Sequence, residues 1–330
     1  MNDLQLVKGT VGDPSQPTVY AIMRDEMFFL PSFFAHYRKL GFKQFVILND
    51  RSVDGSSEFL EAQPDCAILK SSYTFSDVVD GHKVHQAWKN WIPERFLQNS
   101  WGVCVDADEF LFLPPQFQSV QAFCNALDSM KATAVGALMI DFYPETVFDL
   151  DRVWKPGSLE ELLAAYPHYD RGPYITWKKG SLRPKVLSGG VRERLLRKYN
   201  VNKKQSNTGL KGLLRRLKAG FSTTNQVGSI HKVPFVRWKP GLAYLHSHTL
   251  NAAPDGGTIL PMIHFKFTSA FKQKLDVATR VTKLAERAFA YNSYDIVLER
   301  MKADGGSFVS PSTLSFTSPA ALFELSRIVD

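Results

Sequence analysis

Short apolar runs alternate, through the first half of this 330-residue chain, with stretches in which apolar residues recur at helical spacing. Residues 19–23 predict a first strand, ended by the charged turn Arg24-Asp25-Glu26, and the spacing over 29–40 predicts a helix that stops at Gly41. Residues 42–48 predict a second strand running into a turn-rich loop, 49–55, whose Asp54 reads as a cap for a short helix over 57–62. A third strand over 66–69, a Trp- and His-bearing helix over 83–97 and a short strand over 103–105 follow. That last run is β-branched, too short for a helix and closed off by Pro114-Pro115. A helix over 117–131 leads to a strand over 134–140, which ends in Asp141. Strands alternating with helices imply an α/β fold of Rossmann type, a mostly parallel sheet flanked by helices with right-handed crossovers.

The alternation lapses over 148–228, where composition turns loop-like and basic, and resumes in short strand-like pieces at 232–238, 243–248 and 263–267 before a long helical pattern over 270–291. The domain reading is a disordered polar terminus, 1–16, and one domain over 17–330, with a basic insertion at about 150–228 and a C-terminal helical region over 270–330. A hydrophobic content of 44% is ample for a large core.

Cys66, Cys104 and Cys124 are odd in number and lack Cys-x-x-Cys spacing, so free buried thiols are expected rather than disulfides or a structural zinc site. The polar first residues read as no signal peptide and the sequence holds no apolar run of membrane-spanning length, so a cytoplasmic location is the default expectation. The formal charge of +8 favours anionic partners, and the basic residues concentrate between Lys178 and Lys218, a stretch readable as a solvated insertion or as an anion-binding one. Within it Leu210, Leu213, Leu214 and Leu217 share a helical face opposite Lys211, Arg215, Arg216 and Lys218, an interfacial-helix pattern that allows peripheral contact with the inner face of a membrane.

Asp106, Asp108 and Glu109 break off the apolar run at 103–105 and so stand at a strand's carboxyl end. Ligands bind at that edge of open α/β sheets. Two carboxylates one residue apart can hold a hard divalent cation and leave positions for water and phosphate. An isolated Asp-x-Asp is most often a solvated acidic turn; behind an apolar strand the ligand-binding reading is preferred. Glu109 alternates away from Asp108 and suits a structural role, and Phe110 suits the core.

Taken in order and spacing, Arg24-Asp25-Glu26 after the first strand, Asn49-Asp50-Arg51-Ser52-Val53-Asp54-Gly55 after the second, Val105-Asp106-Ala107-Asp108-Glu109-Phe110 at the centre and Ile263-His264-Phe265-Lys266-Phe267 late on resemble bacterial glycosyltransferase family 2 proteins and their relatives of GT-A fold. The resemblance covers roughly residues 19–294, and departs from the common pattern at Asp25, where Asn is frequent. It implies a metal-dependent transferase that binds a nucleotide-diphosphate sugar, a UDP-sugar being favoured, with Mn²⁺ or Mg²⁺ held by Asp108, Asp106 and His264. His248 is the substitute for His264. Asp50 would recognise the nucleoside, or else make a local turn; Arg24 would meet the base or phosphate, or pair with a neighbouring acid. Lys266 would meet the diphosphate, with Lys232 and Arg237 as further candidates. Inverting transfer needs a base for the acceptor hydroxyl; Asp141 is the choice, with Glu145 and Glu193 open. The acceptor would be a saccharide or a lipid-linked species in surface polysaccharide or glycolipid synthesis.

Two other readings compete. A nucleotidyltransferase shares the α/β pattern and metal carboxylates but wants a Gly-rich basic loop after the first strand, which Met23-Arg24-Asp25-Glu26-Met27 lacks. A nucleic-acid-binding protein would use the basic stretch, but Tyr199 and Phe221 are too sparse for a stacking platform and no helix-turn-helix or zinc pattern is present, so no nucleic acid is expected.

Overall fold

The computed structural model describes residues 3–79, 81–201, 228–281 and 285–330. Among these, nine strands form the main sheet: β1 (Gln5–Lys8), β2 (Thr18–Met23), β3 (Gln44–Asn49), β4 (Cys66–Lys70), β5 (Trp101–Cys104), β6 (Glu109–Leu111), β7 (Ala134–Asp141), β8 (His231–Arg237) and β9 (Ile259–His264). They lie side by side in the order β1-β4-β3-β2-β5-β8-β7-β9-β6. β2 is parallel to both β3 and β5, β3 to β4, and β7 to β9. β8 is antiparallel to β5 and β7, β1 to β4, and β6 to β9. Six strands therefore share one direction and the other three oppose it, so the sheet is mixed but mostly parallel in sense.

The path explains the exceptions. From β2 the chain steps outward to β3 and β4 through α1 (Leu30–Lys39) and α2 (Ser56–Glu61), then crosses back by α3 (Val84–Phe96) to β5 on the other side of β2. That reversal is a topological switch point, the place where an open α/β sheet leaves a crevice at its carboxyl edge. After α4 (Val120–Ser129), capped by the Ser119 hydroxyl accepting from Ala122 N–H at 3.2 Å, β7 also ends at this edge. The long excursion that follows begins at the carboxyl edge, and β8 re-enters the sheet from it. A strand entering there must run antiparallel, and its first residues, His231 and Lys232, stay at the edge.

Several expectations need adjustment. Residues 5–8, placed in a frayed terminus, form the edge strand β1, held further by Asp3 accepting from Ser72 N–H at 2.6 Å. The described part of the excursion, through residue 201, holds more regular structure than its composition suggests. It holds α5 (Leu159–Ala165), α6 (Gly190–Lys198) and short strands at His168–Asp170, Ile175–Lys178 and Lys185–Val186. The C-terminal region is helical only at first, in α7 (Ser269–Val281) and α8 (Ala285–Ala303). Thr313–Ser315 then pairs with His168–Asp170, and Ser326–Val329 with Ile175–Lys178, so the tail braces the excursion. Gly190, at the start of α6, has φ +61 and approaches Tyr174 so closely that a Cβ would sit 2.6 Å from the ring, which requires glycine. All three cysteines are free and buried. Among the described residues no helix is long and apolar enough to cross a membrane; the interfacial pattern at Leu210, Leu213, Leu214 and Leu217 lies outside them, as do Lys211, Arg215, Arg216 and Lys218.

α1 docks on the sheet through aromatic packing of Phe33, Phe34 and Tyr37 against Phe45 and Phe42, and through two polar contacts to β6. Tyr37 Oη donates to Glu109 O at 2.9 Å and accepts from Leu111 N–H at 3.2 Å, while His36 Nε2 donates to Leu111 O at 2.7 Å. Burial pushes the His36 imidazole down to about 4. An unfolded chain takes up a proton there near pH 6.5, and the folded chain refuses it until about pH 4. Stability from this group is thus full above about pH 6.5 and is lost as the pH falls toward 4, by about 3 kcal/mol. His36→Gln keeps a donor for Leu111 and cannot titrate, so its urea midpoint should decline less between these limits than the wild type's; parallel declines would contradict the assignment.

Candidate functional site

β2, β3, β5, β7 and β9 all end at one edge of the sheet, where β8 begins, and six of the residues singled out in the sequence sit within these ends. Asp106 and Asp108 follow β5, Asp141 closes β7, His264 closes β9, Lys266 follows it and Lys232 opens β8. They are organised as two linked ionic groups.

The first is built round Lys232, whose side chain is 0% exposed. Its Nζ donates to Glu109 Oε2 at 2.5 Å and stands 3.6 Å from Asp106 Oδ2. Glu109, 1% exposed, also accepts from Asp106 N–H at 2.7 Å and so fixes the turn that carries both aspartates. Lys89 of α3 approaches Asp106 Oδ1 from the other side at 3.6 Å. Partial desolvation among the surrounding side chains works to raise the Asp106 carboxyl, but Lys232 and Lys89 hold it well below the usual carboxylate range. Burial opposes the charge on Lys232, and the two carboxylates keep it protonated. His248 lies beside this group with Nδ1 donating to His231 O at 3.1 Å; burial, then Lys232 and Lys89, push it well below its usual value.

The second group is a chain. Asp141, 3% exposed, receives His264 Nδ1–H at 2.6 Å on Oδ1 and Arg192 Nε–H of α6 on Oδ2. The other imidazole nitrogen, His264 Nε2, faces Asp108 Oδ2 at 3.5 Å. Burial disfavours the imidazolium, but the carboxylates on its two sides raise His264 to about 9. Lys266 sits above the rings of Phe271 and Tyr294, 4.5 Å and 5.5 Å from their centroids, and burial lowers its pKa. Glu26, in the turn after β2, accepts from Lys274 of α7 at 2.6 Å; burial pushes Glu26 up to about 7, with Lys274 offsetting only part of that.

The remaining candidates are more dispersed. Asp50 is buried at the end of β3. One of its oxygens accepts from Phe75 N–H at 3.0 Å, the other from Arg51 at 3.2 Å, and Arg24, half exposed, stands 3.9 Å away. As folded, Asp50 ties the loop after β4 to the end of β3. Asp54 accepts from Ser56 N–H at 3.0 Å and Met27 N–H at 2.9 Å, in keeping with a local capping role. Glu193 accepts from Gly189 N–H at 2.7 Å and pairs with Arg197, serving the start of α6, and Glu145 is exposed beyond β7. Arg237 is not at this edge: β8 runs antiparallel, so its last residue lies at the opposite one, 3.5 Å from Asp128. Lys89, Arg192, Glu26 and Lys274 had no assigned role before. A lysine in the helical run over 83–97 carries no signal by itself, and Arg192 was one of many basic residues.

The donor types at Asp108 and His264 suit a divalent cation, and Asp141 stands behind the imidazole as carboxylates do behind metal-bound histidines. Asp106 faces the lysines instead. Among the described residues no three His, Cys, Asp or Glu side chains are grouped to hold an ion.

No family model and no curated protein matches this chain. Among solved structures, the crystal structure of S. aureus TarS is similar at 9% sequence identity and a TM-score of 0.30, covering 86% of this chain and 42% of that one. This chain thus spans less than half the length of TarS, and a likeness so slight transfers nothing to it.

Removing one partner of a buried ion pair leaves the other charge uncompensated and costs about 3–5 kcal/mol. Lys232→Met should therefore destabilise by about that much in urea unfolding, and Lys232→Met/Glu109→Leu should recover a large part of it. A loss below ~1 kcal/mol for the single variant would show that the pair does not organise this edge.

Proposed function

We propose that this protein transfers a sugar from a nucleotide-diphosphate sugar to an acceptor hydroxyl at the carboxyl edge of the sheet. One observation carries the reading. Asp106 and Asp108, with side chains 44% and 30% exposed, are the solvent-open members of an otherwise buried ionic network at the switch-point crevice. Buried charges of both signs placed behind two open carboxylates suit a polar, multiply charged ligand, and the sequence resemblance names the class.

In this reading the nucleoside lies toward Arg24 and Asp50, a UDP-sugar being favoured, and Asp106 reaches the ribose or a metal through water. Lys266, which forms no ion pair among the described residues, faces the diphosphate together with Lys274. Mn²⁺ or Mg²⁺ would be held by Asp108 and by His264 Nε2, the ion taking the place of the Nε2 proton, with the rest of its shell coming from water and phosphate oxygens. When bound, the ion would neutralise charge that develops on the leaving diphosphate. Asp141, the expected base for inversion, has both oxygens engaged; we assign it as a positioning residue that fixes the ring of His264. The acceptor is a saccharide or a lipid-linked species, consistent with surface polysaccharide or glycolipid synthesis, and peripheral membrane contact belongs to this proposal.

A ligand at 100 times its dissociation constant stabilises the folded state by about 2.7 kcal/mol. In a thermal-shift panel of UDP-, GDP- and dTDP-sugars, one class should raise Tm, more so with Mn²⁺, and Asp108→Ala should lose the Mn²⁺-dependent part. His264→Ala should weaken metal affinity by roughly 10- to 100-fold, and His248→Ala by less. If no nucleotide sugar raises Tm in either condition, the reading fails; if Asp108→Ala keeps the full Mn²⁺ response, the metal assignment fails.

A further inference from the structure

We propose that an open cavity beside α6 binds an anionic group of the acceptor, a phosphate or carboxylate carried on the chain to be glycosylated. The proposal rests on the glycosyl-transfer reading and deepens it.

α6 carries arginines two positions apart, and on a helix such residues point about 200° apart round the axis. Arg192 turns to Asp141 in the His264 chain, and Arg194 turns the other way to clasp Asp170, with Nε and Nη2 each 2.8 Å from a carboxylate oxygen. Asp170 is further bonded by Tyr143 Oη at 2.5 Å, and Tyr143 follows Asp141 by two residues. The same strand end and the same helix thus serve the reactive edge on one side and, on the other, a cavity of about 530 Å³.

The lining is basic. Arg171, Arg194, Arg197 and Lys198 face it, against the carboxylates of Asp170 and Glu193. Arg194 is taken by Asp170, Arg197 pairs with Glu193 at 2.7 Å, and Lys198 pairs at 2.6 Å with Asp304 outside the lining. Arg171 is exposed, and its guanidinium has no partner among the described residues. Among the described residues the cavity therefore offers one uncompensated planar cation, the hydroxyls of Ser188 and Ser312, and the apolar Leu187. A guanidinium fork matches carboxylate and phosphate oxygens, and a neutral sugar would leave it unused.

The test uses the full chain and measures binding, so that it does not depend on turnover. Thermal shifts are recorded with glycerol 3-phosphate and with glucuronate, each against its neutral counterpart, glycerol or glucose. The expected result is a saturable rise in Tm with at least one acid and none with the neutral compounds, weakening as NaCl is raised. Which acid acts distinguishes a phosphate from a carboxylate acceptor. Arg171→Ala should weaken the response at least tenfold, and Arg171→Glu should abolish it; the Arg171 side chain is exposed and makes no ion pair among the described residues, so both variants should fold. A response that survives in Arg171→Glu but disappears in Lys266→Ala would place the anion at the donor side and overturn the proposal. So would the absence of a response to either acid in wild-type protein. UDP binding, measured separately, separates the two readings: if UDP binds and neither acid does, the cavity proposal alone falls.

Discussion

Lys232 carries a charge where no solvent reaches it, and the geometry of the reactive edge follows from that constraint. An ammonium buried in this way is tolerated only with close counter-charges. Glu109 supplies one and Asp106 part of another, and because Glu109 also accepts the Asp106 N–H, the turn after β5 has little freedom. Asp106 is thereby drawn toward the lysines. Asp108, its side chain on the other side of the turn, is left to face His264. Two carboxylates separated by one residue so acquire different environments, and different work can be asked of them.

Topology puts the lysine there. β8 runs against its neighbours because it re-enters the sheet from the edge at which β7 ended. The excursion in turn supplies α6, whose Arg192 completes the chain from Asp141 to His264. The central site is thus made jointly by the parallel strands, which contribute carboxylates and an imidazole, and by the interrupted second half, which contributes cations. A sheet with a parallel strand in place of β8 would present that strand's carboxyl end at this edge, with no opening lysine beneath Asp106.

The parallel half was legible in the sequence because its strands are short apolar runs and its helices keep their spacing. The places of Asp106, Asp108 and Asp141 followed from where those runs stop, whereas His264 was read from the late motif, near the start of a strand expected over 263–267, and in fact closes the strand Ile259–His264. What was not legible is long-range. β1 has exposed, partly polar residues, Gln5 to Lys8, and shows itself only by pairing with β4. The place of β8 between β5 and β7 depends on contacts more than ninety residues away in sequence, as the pairing of Val135 with Phe235 shows. Lys232 did leave a signal, a charge inside the apolar run that ends at Trp238, whereas Lys89 looks like any solvated helical lysine. The excursion read as loop because its elements are short, and two of its strands depend on pairing with the chain's last residues.

Glycosyl transfer requires cleavage of a nucleotide-diphosphate sugar at the anomeric carbon, and ³¹P NMR of the products tests this most directly. Incubated with the nucleotide sugar that stabilises it, the protein should release a nucleoside diphosphate with its diphosphate linkage intact, slowly to water and faster with an acceptor. Release of inorganic pyrophosphate or of a nucleoside monophosphate with sugar phosphate would mean attack at phosphorus, and would contradict glycosyl transfer in favour of nucleotidyl chemistry.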